Sequence, residues 1–506
     1  MTMRRMTHAP VGRTPACTLS ISGALLTMAS APSHAAISLD TPFRDHAVIQ
    51  RDREIRVTGH AEPNEAIVLT FGDRRITGSA RADGRFSIAM PPMEASLEPR
   101  ELAVEGPSGR ASASDIVVGE VWFCSGQSNM EWPVDGALEA DRAKSMASAM
   151  PIRSFKASHA TANRPSDRVD GDWRLATPDT VGTFTAVGWW FGVALARSFD
   201  MKVPIGLVDI SWGGTRIEPW IPLDSLSKSA FSTAAEQLAA RIAQFDADPK
   251  SGAKAPGTER WEPAAIYNGM VAPWIAYPVR GTLWYQGEAN ADEPESYRVL
   301  LPLLIRSWRE KSGNSEMAWG VVQLAAFKAF AEGDPAQGGW ALLRDAQFRG
   351  AREAGNAGMI SAIDLGDADD IHPRRKREIG ERLAAWARSA VYGHSSVAWQ
   401  GPELASAARE NGSMVRVRLA HADGLHTVGG ISGGFALAGA DRKFVWANAM
   451  IMDQGRDGIV LSAPGVSDPV EVAYGWQDNP RRANIVNGAG LPLVPFRVRI
   501  PHTSSP

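Results

Sequence analysis

Residues 123–132 read FCSGQSNMEW, and the fold turns on how this stretch is read. The run VWFC that leads into it is short and continuously apolar, and it stops on Gly126-Gln127-Ser128-Asn129. A strand ending on glycine and small polar residues is either an ordinary turn or a way of presenting one hydroxyl at the mouth of a cleft. Continuous apolar strands belong to parallel sheets covered on both faces. In open α/β sheets, ligands bind at the carboxyl ends of the strands, which is where Ser128 would stand.

Working outward, the same rhythm continues from about residue 117 to about 395. Helix-compatible ALEADRAKSMASAM, WWFGVALARSF, AAEQLAARIAQF and SYRVLLPLLIRSWRE alternate with strand-like VPIGLVDIS, VRGTLWYQG and AWGVVQLA. This alternation predicts an α/β domain with a parallel sheet. A last helix over about 374–391 puts Ile379, Leu383, Trp386 and Ala390 on one face. Before this domain, residues 36–116 carry IRVTG, AIVLTFG, FSIAMP and ELAVEG between turn-forming segments, the pattern of a small β-sandwich. After it, residues 396–506 return to β, with MVRVRLA, GGFALAG, KFVWANAMIMD, GIVLSA and EVAYGW. That region reads as a second sandwich or a jelly-roll-like fragment.

A chain of 506 residues is too long for one ordinary domain. Its 53 basic and 56 acidic residues nearly cancel, which argues against nucleic acid or an anionic membrane as partner. Residues 1–35 have a basic start (MTMRRMTHAPVGR), a short apolar stretch and a small-residue end (SAPSHAA), the pattern of a cleaved signal peptide. A periplasmic or secreted mature protein is expected, with no membrane association after cleavage. Of the two cysteines, Cys17 leaves with that segment and Cys124 remains alone in an apolar strand. It is expected to be a buried small hydrophobe and not a reactive thiol.

Four stretches could carry chemistry. Gly126-Gln127-Ser128-Asn129 is not the G-x-S-x-G elbow, because Met130 stands two after the serine. Ser128 near a helix start could still offer its own N–H to an oxyanion. Gly213-Gly214, after GLVDISW, would let backbone N–H groups approach a ligand. Gln286-Gly287-Glu288-Ala289-Asn290 offers two side-chain amides as a third oxyanion donor. Glu288 would orient a neighbour or cap the following helix. Finally, in Asp367-Ala-Asp369-Asp370-Ile371-His372-Pro373 an acid three residues before a histidine can fix its tautomer and leave the other nitrogen free as a base. Pro373 suits a first helical position, which would put His372 at a helix entrance. Each signal is weak alone; together, at successive elements of one domain, they are strong.

GQSNMEWPV, SWGGTRIEPW, YNGMVAPW, WYQGEAN and GDADDIHP, in that order, resemble the sialate O-acetylesterase-like family of SGNH hydrolases, which are carbohydrate acetylesterases. The upstream FRDHAVIQRDREIRVTGHAEPNE is similar to that family's N-terminal β region. The resemblance implies a flavodoxin-like, three-layer parallel-sheet domain. It implies Ser128 as nucleophile, His372 as general base, and an oxyanion hole from Ser128, Gly214 and one of Gln286 or Asn290. The usual Gly-x-Asn of the third block is absent, since Asn290 comes one position late. The D-x-x-H spacing favours Asp369 as the triad acid, whereas the family's Asn-Asp-Ile-His form points to Asp370.

The expected reaction is removal of acetyl groups from sugars through an acetyl-enzyme, without cofactor or metal. The expected partner is an acetylated oligosaccharide or polysaccharide, either a hemicellulose such as xyloglucan or xylan, or sialic acid. Seventeen tryptophans against six tyrosines favour a carbohydrate ligand, with Trp132, Trp212, Trp220, Trp284 and Trp476 as candidate stacking residues or core. The alternatives are an inactive carbohydrate-binding protein, or a lipase or thioesterase on the same fold. Oligomeric state is not legible.

Overall fold

A computed structural model describes residues 37–248, 254–453 and 458–501. Residues 1–36, on which the expected signal segment and Cys17 fall, lie outside the described residues. The α/β domain is built on a sheet of β1 (Gly109–Gly126), β2 (Ile152–Ala157), β3 (Gly171–Leu175), β4 (Ile205–Ser211), β5 (Gly281–Tyr285), β6 (Ala318–Gln323) and β7 (Ala357–Ser361). Their spatial order is β3-β2-β4-β1-β5-β6-β7. All neighbours are parallel except β3, which closes one edge antiparallel to β2. The chain builds one side of β1 first and the other afterwards, so β1 lies at the switch point where such sheets bind ligands.

The registers matter for function. Ser211 at the end of β4 and Tyr285 at the end of β5 both align with Gly126 at the end of β1. Three of the motifs therefore leave the sheet side by side. The approach is close: a β-carbon on Gly126, whose φ is +134°, would lie 2.2 Å from the Tyr285 carbonyl oxygen.

Two faces of β1 are covered by different helices. Trp122 packs edge-on against Phe191 of α2 (Ala186–Ser198), and against Trp386 of α5 (Lys376–Trp386). Its chain neighbour Phe123, pointing the opposite way, meets Trp308 of α3 (Pro294–Ser312). On that side α4 (Gly339–Ala354) packs on α3, where Gly350 admits Leu301 and Pro302. The expected three layers are present. The sequence reading had singled out neither α4 nor β7.

The boundary drawn at 116 is not a linker. β1 is 18 residues long, and its first half pairs antiparallel with Ser96–Gly106 of the N-terminal region. That region has a second sheet, Ser38–Leu39, Ile55–His60 and Arg85–Met90. One continuous apolar core joins it to the α/β domain. The C-terminal region has two four-stranded antiparallel sheets. Val417, Phe435, Leu437, Ile459, Leu461 and Val472 form a separate core there. Both sheets contribute to this core and so pack face to face; the sequence had left a sandwich or a jelly-roll-like fragment open.

Candidate active site

Ser128 opens α1 (Ser128–Glu131), a single turn directly after β1. So short a helix has no stability of its own. Its flanking Gln127 does not cap it with a side chain. Instead Gln127 Oε1 accepts from the Ala289 N–H and from Gln286 Nε2, both at 3.2 Å. The turn is held by its neighbours.

His372 Nε2 lies 2.9 Å from Ser128 Oγ, so residues 244 positions apart in the chain meet at hydrogen-bond distance. The imidazole stacks on Trp132, centroids 4.8 Å apart. His372 stands on a loop, because α5 begins only at Lys376; the expected helix entrance at Pro373 is three residues early. Near the ring, the carboxylate is that of Asp370. Its Oδ1 is 3.5 Å from Nδ1 and accepts the His372 backbone N–H at 2.8 Å. Asp369, which the D-x-x-H spacing favoured, is exposed, and its N–H donates to Asp367. The difference is one of direction: the residue two before the histidine folds back over its own loop in an Asx-type turn. Burial pushes the His372 pKa down, the nearby Lys376 adds to this, and Asp370 opposes it; the net shift is downward.

The Gly213-Gly214 loop follows β4 and lies against the serine. A β-carbon on Gly213 would be 3.3 Å from Ser128 Cβ. Gly214 has φ +70°, a left-handed conformation suited to glycine, with open space around it. Among the described residues, no acceptor engages the backbone N–H of Ser128 or of Gly214.

The third donor expected from Gln286 or Asn290 is not free. Both side chains are 0 % exposed. Gln286 Nε2 donates to Asn290 Oδ1 (2.8 Å) and the Thr215 carbonyl (3.1 Å), besides Gln127. Asn290 Nδ2 faces the Glu218 carboxylate at 3.3 Å. Each amide is committed to joining two motifs.

Sequence reasoning missed two carboxylates, Glu131 and Glu218, and the lysine Lys376, which with Glu288 bind the motifs to one another. Glu131 Oε2 accepts the Gly213 N–H at 2.7 Å, Glu218 holds Asn290, and Glu288 Oε1 accepts from Asn129 Nδ2 at 2.5 Å. Glu288 thus orients a neighbour. Lys376, fully buried, donates to Asn129 Oδ1, while Asn129 Nδ2 also reaches the Ile371 carbonyl at 3.0 Å. Burial drives Lys376 down to about 7 and raises Glu288 above the ordinary carboxylate range. The available signal was the recurrence of a glutamate inside each of GQSNMEW, TRIEPW and YQGEAN.

The tryptophans divide. Trp220 and Trp284 are 0 % exposed and Trp476 is 6 % exposed, so all three are core. Trp132 and Trp212 are half-buried at the site, and Trp212 stacks face to face on His159 at 4.4 Å. Beside this pair runs a cleft of about 870 Å³, lined in part by Glu131, Lys156, His159, Asp170 and Arg174. Cys124 is buried and its thiol pKa is raised by burial and by Asp209, which makes it unreactive.

Residues 251–389, which include the Gln286 and His372 motifs, match the family model described as carbohydrate esterase, sialic acid-specific acetylesterase. A solved carbohydrate acetylesterase from Xanthomonas citri is 35% identical, with a TM-score of 0.80 over 92% of this chain and 99% of that one. The sialate O-acetylesterase of Homo sapiens is 31% identical over 312 residues, 57% of this chain and 56% of its own length. The one from Mus musculus is 27% identical over 408 residues, 71% of this chain and 74% of its own. The chain thus spans little more than half the length of the human relative. With a whole-length match to a solved member and the ordered motifs brought to one site, the chain belongs to the sialate O-acetylesterase-like family of carbohydrate acetylesterases.

Proposed function

We propose that the protein is a serine carbohydrate O-acetylesterase that works through an acetyl-enzyme. The observation that carries this reading is the 2.9 Å approach of His372 Nε2 to Ser128 Oγ beside two unengaged N–H groups. His372 takes the hydroxyl proton as Ser128 Oγ attacks the acetyl carbonyl carbon. The N–H groups of Ser128 and Gly214 receive the oxyanion, and removing one such donor costs about 10²–10³ in rate. His372 then protonates the departing sugar oxygen, and a water activated by the same imidazole releases acetate. Asp370 acts as the triad acid, keeping the Nδ1 proton in place. The substrate is an acetylated sugar, a hemicellulose chain such as xyloglucan or xylan, or O-acetylated sialic acid. Action in the periplasm or outside the cell follows if residues 1–35 are removed as a signal.

Acetate release by the mature chain is measured on O-acetylated sialic acid and on acetylated xyloglucan oligosaccharides, with Ser128→Ala as control. Release from one of them, lost in the control, identifies substrate class and nucleophile together. Release that persists in Ser128→Ala overturns the mechanism.

A further inference from the structure

We propose that Glu131 is a positioning residue of the oxyanion hole: its carboxylate takes the Gly213 N–H out of play so that the Gly214 N–H is the one turned to the reacting carbonyl. This rests on the esterase reading above and adds to it a group that touches neither substrate nor nucleophile.

A Gly-Gly loop has little conformational preference of its own. Its ends are tied by backbone and hydroxyl bonds, Trp212 N–H to the Gly126 carbonyl at 3.0 Å and Thr215 Oγ1 to the Trp212 carbonyl at 2.7 Å. Among the described residues, the middle is held by the one bond from Gly213 N to Glu131 Oε2, 2.7 Å. Glu131 sits three residues after Ser128 in the same turn, so nucleophile and donor loop are referenced to one short segment. A β-carbon on Gly213 would lie 3.2 Å from Glu131 Oε2 and 3.3 Å from Ser128 Cβ. Carboxylate and nucleophile therefore flank the same α-carbon.

The second oxygen is also used. Glu131 Oε1 lies 2.8 Å from His159 Nε2, and His159 stacks on Trp212, the residue before the glycines. The carboxylate is thus fixed from two sides and grips the loop twice, through its backbone and through its indole. Burial raises the Glu131 pKa, but the bonds from His159 and Gly213 and the nearby cations outweigh it, and the group stays ionised. A negative charge this close to an oxyanion is unfavourable in itself. Its presence makes sense as geometry and not as field, and this is what the test separates.

In the full chain, Glu131→Asp keeps the charge and shortens the reach; Glu131→Gln loses the charge and keeps a carbonyl oxygen for Gly213 N–H. Both are assayed on p-nitrophenyl acetate, whose turnover needs no sugar contacts, with thermal melting to confirm folding. The expected result is a kcat about 10- to 100-fold lower for Asp, with KM within about threefold, and recovery to at least about a third of the parent kcat by Gln. Equal losses in both, or the reverse order, overturn the proposal. So does a folded Gln variant slowed more than about tenfold, whatever becomes of the Asp variant. Ser128→Ala is run alongside: if it keeps the activity, the esterase reading fails, a result distinct from failure of the brace.

Discussion

At His372 the imidazole is pulled two ways, by burial and Lys376 toward the neutral form and by Asp370 toward the charged one. The downward net shift fixes the sign of the pH dependence. A protonated imidazole cannot accept the serine proton, so kcat/KM should fall as pH drops through the His372 pKa. The midpoint of that acid limb is expected below 6.5, the ordinary histidine value; a midpoint above it contradicts the electrostatics described here. The choice of acid is tested separately. Asp370→Asn should lower kcat by about 10²–10⁴, as losing a triad acid does. Asp369→Asn should stay within about threefold, because Asp369 faces solvent. Spacing pointed to Asp369, the one of the two that faces solvent. The same D-x-x-H pattern recurs at Asp423–His426, where the histidine Nδ1 faces the Gly424 carbonyl on the C-terminal sandwich. A pattern of two residues says which groups can meet, while backbone direction decides which do.

At the scale of elements, the site depends on loops held by one another's side chains. α1 is one turn, and the loop with His372 has no secondary structure. Lys376, at the start of α5, ties both through Asn129. Lys376→Met would leave Asn129 Oδ1 buried without a donor and should destabilise the fold by about 1–3 kcal/mol, read from urea denaturation. The pH dependence of that loss has a definite sign. The folded-state pKa of about 7 lies below the unfolded value near 10.5, so the unfolded chain holds more protons between them. Parent stability gains from Lys376 as pH rises from about 7 to 10, and the gap between parent and variant should widen over that range. A gap that stays flat from pH 7 to 10 would show the lysine to be charged in the fold throughout. Most elements themselves were legible, since apolar runs and helical periodicity mark them without reference to partners. The antiparallel edge strand β3 was not, being short and mostly exposed on one face.

Across the whole molecule, the C-terminal sandwich is tied to the rim of the catalytic sheet. Arg344 of α4 is fully buried, with its pKa pushed down to about 9 by burial. It donates to the carbonyls of Leu324 and Ala325 after β6, and to those of Gln477 and Asp478 in the sandwich. Gln477 Nε2 in turn holds the carbonyls of Ala331 and Asp334. The Leu324 and Gln477 carbonyls would lose their donor, while those of Ala325 and Asp478 keep Trp340 Nε1 and the Phe327 N–H; Arg344→Met should be about 2 kcal/mol or more less stable, and cleavage by a protease in the 324–338 loop should become faster. Unchanged melting and proteolysis would mean that the sandwich is not anchored there.

The alternation of apolar strands with helices, the serine, the glycine pair and the histidine stand in the sequence, because local periodicity and motif chemistry do not depend on what lies opposite. The tertiary structure alone decided that Gln286 and Asn290 join motifs and are not free donors, that Asp370 is the carboxylate beside His372, and that Trp220, Trp284 and Trp476 are core. It also decided that the glutamates of three motifs and Lys376 hold the site together. The physical reason is the same throughout. A polar side chain can be bound inside or offered outward, and which of these happens depends on acceptors and donors brought up from elements as many as 247 residues away.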